Sequence, residues 1–85
     1  MSPTEIALIA VHKAPAIPLE AISRKYLGME PGWATKQAKL HLLPFPVFKL
    51  TKSLKSPFLV YVKDLAEHID KQHADAKTRW DHSQV

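Results

Sequence analysis

The sequence predicts a small α+β domain of winged helix-turn-helix form, with three helices, a β-hairpin wing and a C-terminal helix, and three observations carry that expectation. Two short helical patterns, PLEAISRKYL at 18–27 and PGWATKQAKLH at 31–41, are separated by only Gly28–Glu30. A tight glycine-bearing turn between two such helices is the helix-turn-helix arrangement, whose second helix enters a major groove. Two segments rich in aromatic and β-branched residues, FPVFKL at 45–50 and FLVYV at 58–62, flank the seven-residue stretch TKSLKSP. This composition predicts an antiparallel hairpin with a long tip, and a tip longer than two to five residues is more often functional than connective. Charge supplies the third observation. From Arg24 to Lys55 the chain holds seven bases against the single acid Glu30, a local balance of +6, while each flank sums to −1. A positive field confined to the middle fits a polyanionic partner facing one side of the molecule.

The elements follow in order. Ser2, Pro3 and Glu5 form a helix start, with serine as cap, proline at the first helical position and glutamate closing a capping box. A helix from Pro3 to about Lys13 is expected, with Ile6, Ile9 and Ala10 on its buried side, although IALIAV is apolar enough to pass for a strand. APAIP at 14–18 is held extended by its prolines and could add a short edge strand. In the second helix Leu19, Ile22 and Tyr26 follow helical spacing, and Gly28 ends it.

The third helix, over 31–42, starts on Glu30 and Pro31, which suit the first turn and the positive end of the helix dipole. Ala34, Ala38 and Leu42 make a narrow inner stripe that lets it pack close, and Pro44 stops it. Its outer face carries Trp33, Thr35, Lys36, Gln37 and Lys39, which can reach phosphates or base edges. A wet amphipathic face is the plain alternative for that helix, and a core-capping role the alternative for Trp33. Asp64 and Glu67 read as a second capping box starting a last helix from Leu65 to about Trp80, with Asp81–Val85 frayed. Leu65, Ile69, Ala76 and Trp80 fall on one side of it, to cover the sheet or to meet a second copy.

Composition limits the chemistry. The 85 residues suit one domain, 1–85, with modest stability. Cysteine is absent, which removes disulfides, thiolate catalysis and cysteine zinc sites and fits a reducing compartment. No signal-peptide layout is present, and the longest apolar run is far too short to span a bilayer, so a cytoplasmic protein at the bacterial nucleoid, without membrane attachment, is expected. His68 and His73 lie five apart, which misses the four-residue spacing that would put two ligands on one helical face. There is no glycine-rich phosphate loop and no nucleophile elbow around Ser23, Ser53 or Ser56. Neither enzyme activity, metal nor cofactor is expected.

In the winged arrangement Trp33, Thr35, Lys36, Gln37 and Lys39 would face the major groove. Lys49, Lys52, Ser53 and Lys55, on a wing over 49–58, would grip the flanking backbone or follow the minor groove, and Arg24 and Lys25 would touch phosphates. Gln37 is the best candidate for a base contact, because an amide pairs bidentately with adenine, whereas lysines position the protein on phosphates.

IPLEAISRKYLG, then LLPFPVFKL, then KSPFLVYVKDLAEHIDKQ together resemble the pyocin activator (PrtN) family of small phage-associated bacterial regulators, over roughly Ile6 to Trp80. The resemblance implies a DNA-binding transcriptional activator of prophage or bacteriocin-type genes. A looser likeness runs to excisionases and the MerR-like winged helix, so an architectural protein that bends DNA is the first alternative function. A protein-interaction module that binds a repressor or polymerase subunit through its C-terminal helix is the second. The partners expected are double-stranded DNA, with RNA polymerase and a homodimer through the C-terminal helix as further candidates.

Overall fold

Ser2 caps the first helix as its chemistry requires: its hydroxyl accepts the Glu5 N–H at 3.1 Å, and α1 runs Pro3–His12 before Lys13 closes it at φ 57°. The computed structural model describes residues 1–84. The buried side of α1 is not the expected one. Leu8 is buried and Ile9 half-buried, whereas Ile6 and Ala10 face solvent. A helix apolar nearly all round has no periodicity to choose its inner face, so packing against the last helix chooses it.

The extended segment forms strand β1, Ala16–Pro18, and leads without a linker into α2, Leu19–Ile22. That helix continues as a π-helical turn over Ser23–Leu27, where the Ser23 carbonyl accepts the N–H of Gly28, five residues on. Gly28 then adopts φ +65°, the left-handed conformation that favours glycine. Helix α3 occupies Pro31–Lys39 with Ala34 and Ala38 buried, and so lies close on α2. It is shorter than the expected 31–42. His41 turns left-handed at φ 56°, the Leu42 N–H returns to the Gln37 carbonyl at 3.0 Å, and Leu42 points outward instead of completing the inner stripe.

The sheet departs most from expectation. Strand β2, Leu59–Tyr61, pairs antiparallel with β1, in register Ala16↔Tyr61, Ile17↔Val60 and Pro18↔Leu59. The predicted hairpin of 45–50 with 58–62 shrinks to one bridge, in which Phe48 and Leu59 exchange hydrogen bonds at 3.0 and 2.7 Å. Two prolines explain this. Pro44 and Pro46 have no N–H to give a ladder, and Phe45 between them turns into the core.

Helix α4, Val62–Ser83, follows β2 directly, and the Val62 N–H donates to the Pro15 carbonyl at 2.8 Å. It starts three residues before the predicted Leu65. Asp64 therefore lies inside the first turn and not at a cap, and the capping box does not form. At the other end helix continues through Asp81–Ser83, where fraying is expected from the sequence, and Val85 lies outside the described residues. The core joins Leu8, Ile17, Leu19, Ile22, Ala34, Ala38, Phe45, Val60, Val62, Leu65 and Ala66. Thr4 Oγ1 donates to Asp70 Oδ1, fastening the start of α1 against α4. Beyond that point Ala76 and Trp80 are exposed, so they do not cover the sheet.

Candidate nucleic-acid interface

Because Ala34 and Ala38 turn inward, helical geometry sends Lys36 to the middle of the outer face of α3. Lys39 and Thr35 stand on one flank of it, Trp33 and Gln37 on the other. Trp33 is 53% exposed, which removes the core-capping alternative, and the Lys36 ammonium lies 5.5 Å from its ring centroid. Thr35 is half-buried and its hydroxyl donates to the Pro31 carbonyl at 2.9 Å, leaving its oxygen as an acceptor for a ligand. Gln37 is half-buried.

The loop from Lys49 to Phe58 approaches the Thr35–Lys39 flank. Thr35 and Lys39 from α3, Leu19 and Glu20 from α2, and Lys49, Leu54, Ser56, Pro57 and Phe58 from the loop line one groove of about 120 Å³. Lys49 is held there with its ammonium 4.7 Å from the centroid of Phe58. Lys52, Ser53 and Lys55 are exposed on the outer part of the loop. Short-range bonds shape that part: Ser53 Oγ accepts the Lys55 N–H at 3.2 Å, and the Ser53 carbonyl accepts the Ser56 N–H at 3.1 Å. Leu54 lines the groove mouth yet is 96% exposed. It leans over the groove without packing into it.

Two expected backbone contacts behave differently. Arg24 is already committed, because its guanidinium donates to Glu30 Oε2 from Nη2 at 2.6 Å and from Nε at 3.2 Å, bracing the turn between α2 and α3. Glu30 is the single acid of the basic stretch, so the lysines there meet no carboxylate within that stretch. Lys25 is exposed and its ammonium lies 5.8 Å from the Tyr26 ring centroid.

Of the groove residues, sequence reasoning picked out Thr35, Lys39 and Lys49 and missed Leu19, Glu20, Leu54, Ser56, Pro57 and Phe58. Glu20 is a first-turn acid of α2, and no local pattern shows that its helix start faces the loop. A second groove, of about 510 Å³, lies beyond α3 and is lined by Ala38, His41, Leu43, Pro44, Phe45, Pro46 and Val47. His41 is its one titratable side chain. Among the described residues no group of three His, Asp or Glu side chains is placed to hold a metal ion, and no helix is long and apolar enough to cross a membrane.

The arrangement is therefore a row of cations with the Gln37 amide and the hydroxyls of Thr35, Ser53 and Ser56 beside them, on a short helix and an adjoining loop. Ammonium groups can pair with phosphates, and amide and hydroxyl groups can meet base edges. The model of the family described as pyocin activator protein PrtN matches residues 4–76. No curated protein and no solved structure matches the chain.

Proposed function

The chain belongs to the pyocin activator family, and from that premise we propose that it activates transcription of prophage or bacteriocin-type genes as a sequence-specific binder of double-stranded DNA. One observation supports this reading above the others: α3 and the 49–58 loop share a groove, so Lys39 and Lys49 belong to one surface with Lys36 beside them. The architecture then acts as a winged helix-turn-helix, with α2 and α3 as the helical pair and the loop as a wing anchored by the Phe48–Leu59 bridge. Helix α3 lies in the major groove. Lys36 and Lys39 hold phosphates at its edges, while Gln37 and Thr35 meet base edges and Trp33 lies against the sugar–phosphate wall. Lys49, Lys52 and Lys55, with Ser53, follow the backbone beyond, and Lys25 adds a contact from α2. Arg24 braces the turn instead. The site of action is the nucleoid, where promoter-bound protein can meet RNA polymerase.

Salt tests this directly. Six lysine–phosphate contacts predict that log K falls with log salt at a slope of about −5.4 for duplex DNA. Fluorescence anisotropy on a duplex carrying a site selected from random DNA should show that slope, and Lys36→Ala with Lys39→Ala should flatten it by about two. A slope near zero, or one unmoved by the double substitution, removes this face from DNA binding.

A second reading is favoured by Leu54. An exposed apolar side chain between lysines at a loop tip has the character of the wedges that architectural proteins insert between base steps. On that reading the protein bends DNA, like an excisionase, and Leu54→Ala reduces the bend measured by circular permutation while leaving most of the affinity.

A further inference from the structure

Among the described residues Glu20 is the one acid lining the groove between α3 and the 49–58 loop. We propose, resting on the DNA-binding function above, that Glu20 reads a cytosine by accepting a hydrogen bond from its exocyclic N4 amine. An acid is out of place in that groove if the groove takes only phosphate. The carboxylate shares a volume of about 120 Å³ with Lys39 and Lys49, so a phosphate entering it would meet the charge of Glu20 as well as theirs.

Nothing in the chain neutralises this carboxylate. The ion pairs among the described residues join Arg24 to Glu30 and Lys71 to Asp75, and the Lys49 ammonium lies over the Phe58 ring, 4.7 Å from its centroid. Glu20 is exposed, yet its backbone is held. The Ser23 hydroxyl donates to the Glu20 carbonyl at 3.2 Å, and the Leu19 N–H donates to the Phe58 carbonyl at 2.8 Å, which ties the start of α2 to the end of the loop. A side chain presented from a fixed backbone can tell one ligand from another. Thr35, which meets base edges in the docking proposed above, lines the same groove and sets Glu20 beside the bases.

Hydrogen-bond chemistry chooses the base. An ionised carboxylate only accepts, and the donors that B-DNA offers in its major groove are the N6 amine of adenine and the N4 amine of cytosine. The adenine amine lies between two acceptors, its own N7 and the O4 of the paired thymine, and both repel a carboxylate. The cytosine amine has an acceptor on one side only, the O6 of its guanine. Cytosine is therefore the better partner. The same carboxylate acts against the wrong DNA, because a non-specific complex rests on phosphates and offers Glu20 repulsion with no amine to offset it.

Anisotropy with the whole chain and a duplex carrying the site selected from random DNA tests this. Each cytosine of that site is replaced in turn by a pyrimidinone base that still pairs with guanine but lacks the amine. One replacement should weaken binding of the unaltered protein about tenfold and leave that of Glu20→Ala unchanged. Glu20→Ala, at an exposed position, should keep the circular dichroism spectrum and bind random duplex severalfold more tightly. A steep salt dependence combined with the same selected site and the same response to every replacement in Glu20→Ala overturns the role of Glu20 alone. Binding without salt dependence overturns the DNA-binding function, and this role with it.

Discussion

Three cations of the candidate interface lean on aromatic neighbours: Lys49 on Phe58, Lys36 on Trp33 and Lys25 on Tyr26. An ammonium held over a ring face loses less freedom when it meets a phosphate, because part of its order is already set. Trp33→Leu should therefore weaken DNA binding severalfold although Lys36 remains, with the melting curve little changed because Trp33 is mostly solvated; titration by anisotropy checks this. Arg24 makes the opposite case. Its bond to Glu30 is exposed on both sides, so Arg24→Ala should cost no more than about 1 kcal/mol in urea unfolding. Ile22, fully buried where α2 passes into its π-helical turn, should cost about 2–5 kcal/mol on replacement by alanine. Residue roles were legible where spacing decides: Ala34 and Ala38 stand four apart among polar neighbours and form the buried side of α3. They were not legible in α1, where Leu8 and Ile6 are equally apolar and the choice rests on packing with α4.

Among the elements, two boundary signals were readable in the sequence, whereas the Asp64–Glu67 start and the Pro44 stop were not where the helices begin and end. Ser2 begins α1 and Gly28 ends the second helix at φ +65°. No atom lies within 4 Å of a Cβ built at Gly28, so Gly28→Ala should cost only the left-handed strain, about 1–2 kcal/mol by chemical denaturation. The hairpin was misread because aromatic and β-branched content speaks for strand while the ladder needs N–H groups that Pro44 and Pro46 lack. β1 supplies them instead, from a segment three elements earlier, and no local rule reports such a pairing. Helix α4 starts earlier than its acids suggest because the Val62 N–H is satisfied by the Pro15 carbonyl across the sheet. Tertiary structure replaces the cap there. The candidate site was legible as a list of lysines on two segments, but the groove that joins the segments depends on where α2 sets Leu19 and Glu20.

Taken whole, the molecule measures 53 × 26 × 17 Å, with the core at one end of α4. The loop from Lys49 to Phe58 contributes no fully buried side chain. Replacing residues 51–56 by a two-residue turn should therefore preserve the far-ultraviolet dichroism spectrum and most of the stability, while DNA affinity falls and its salt slope flattens by about two through loss of Lys52 and Lys55. Both strands also pass into helices with no intervening residue, Pro18 into Leu19 and Tyr61 into Val62. Such joints have no slack. Helix α4 is about 33 Å long, so a tilt of about 10° at the Tyr61–Val62 joint swings its far end through about 6 Å. The strand that anchors the loop is thus the fulcrum of a lever whose tip carries Trp80.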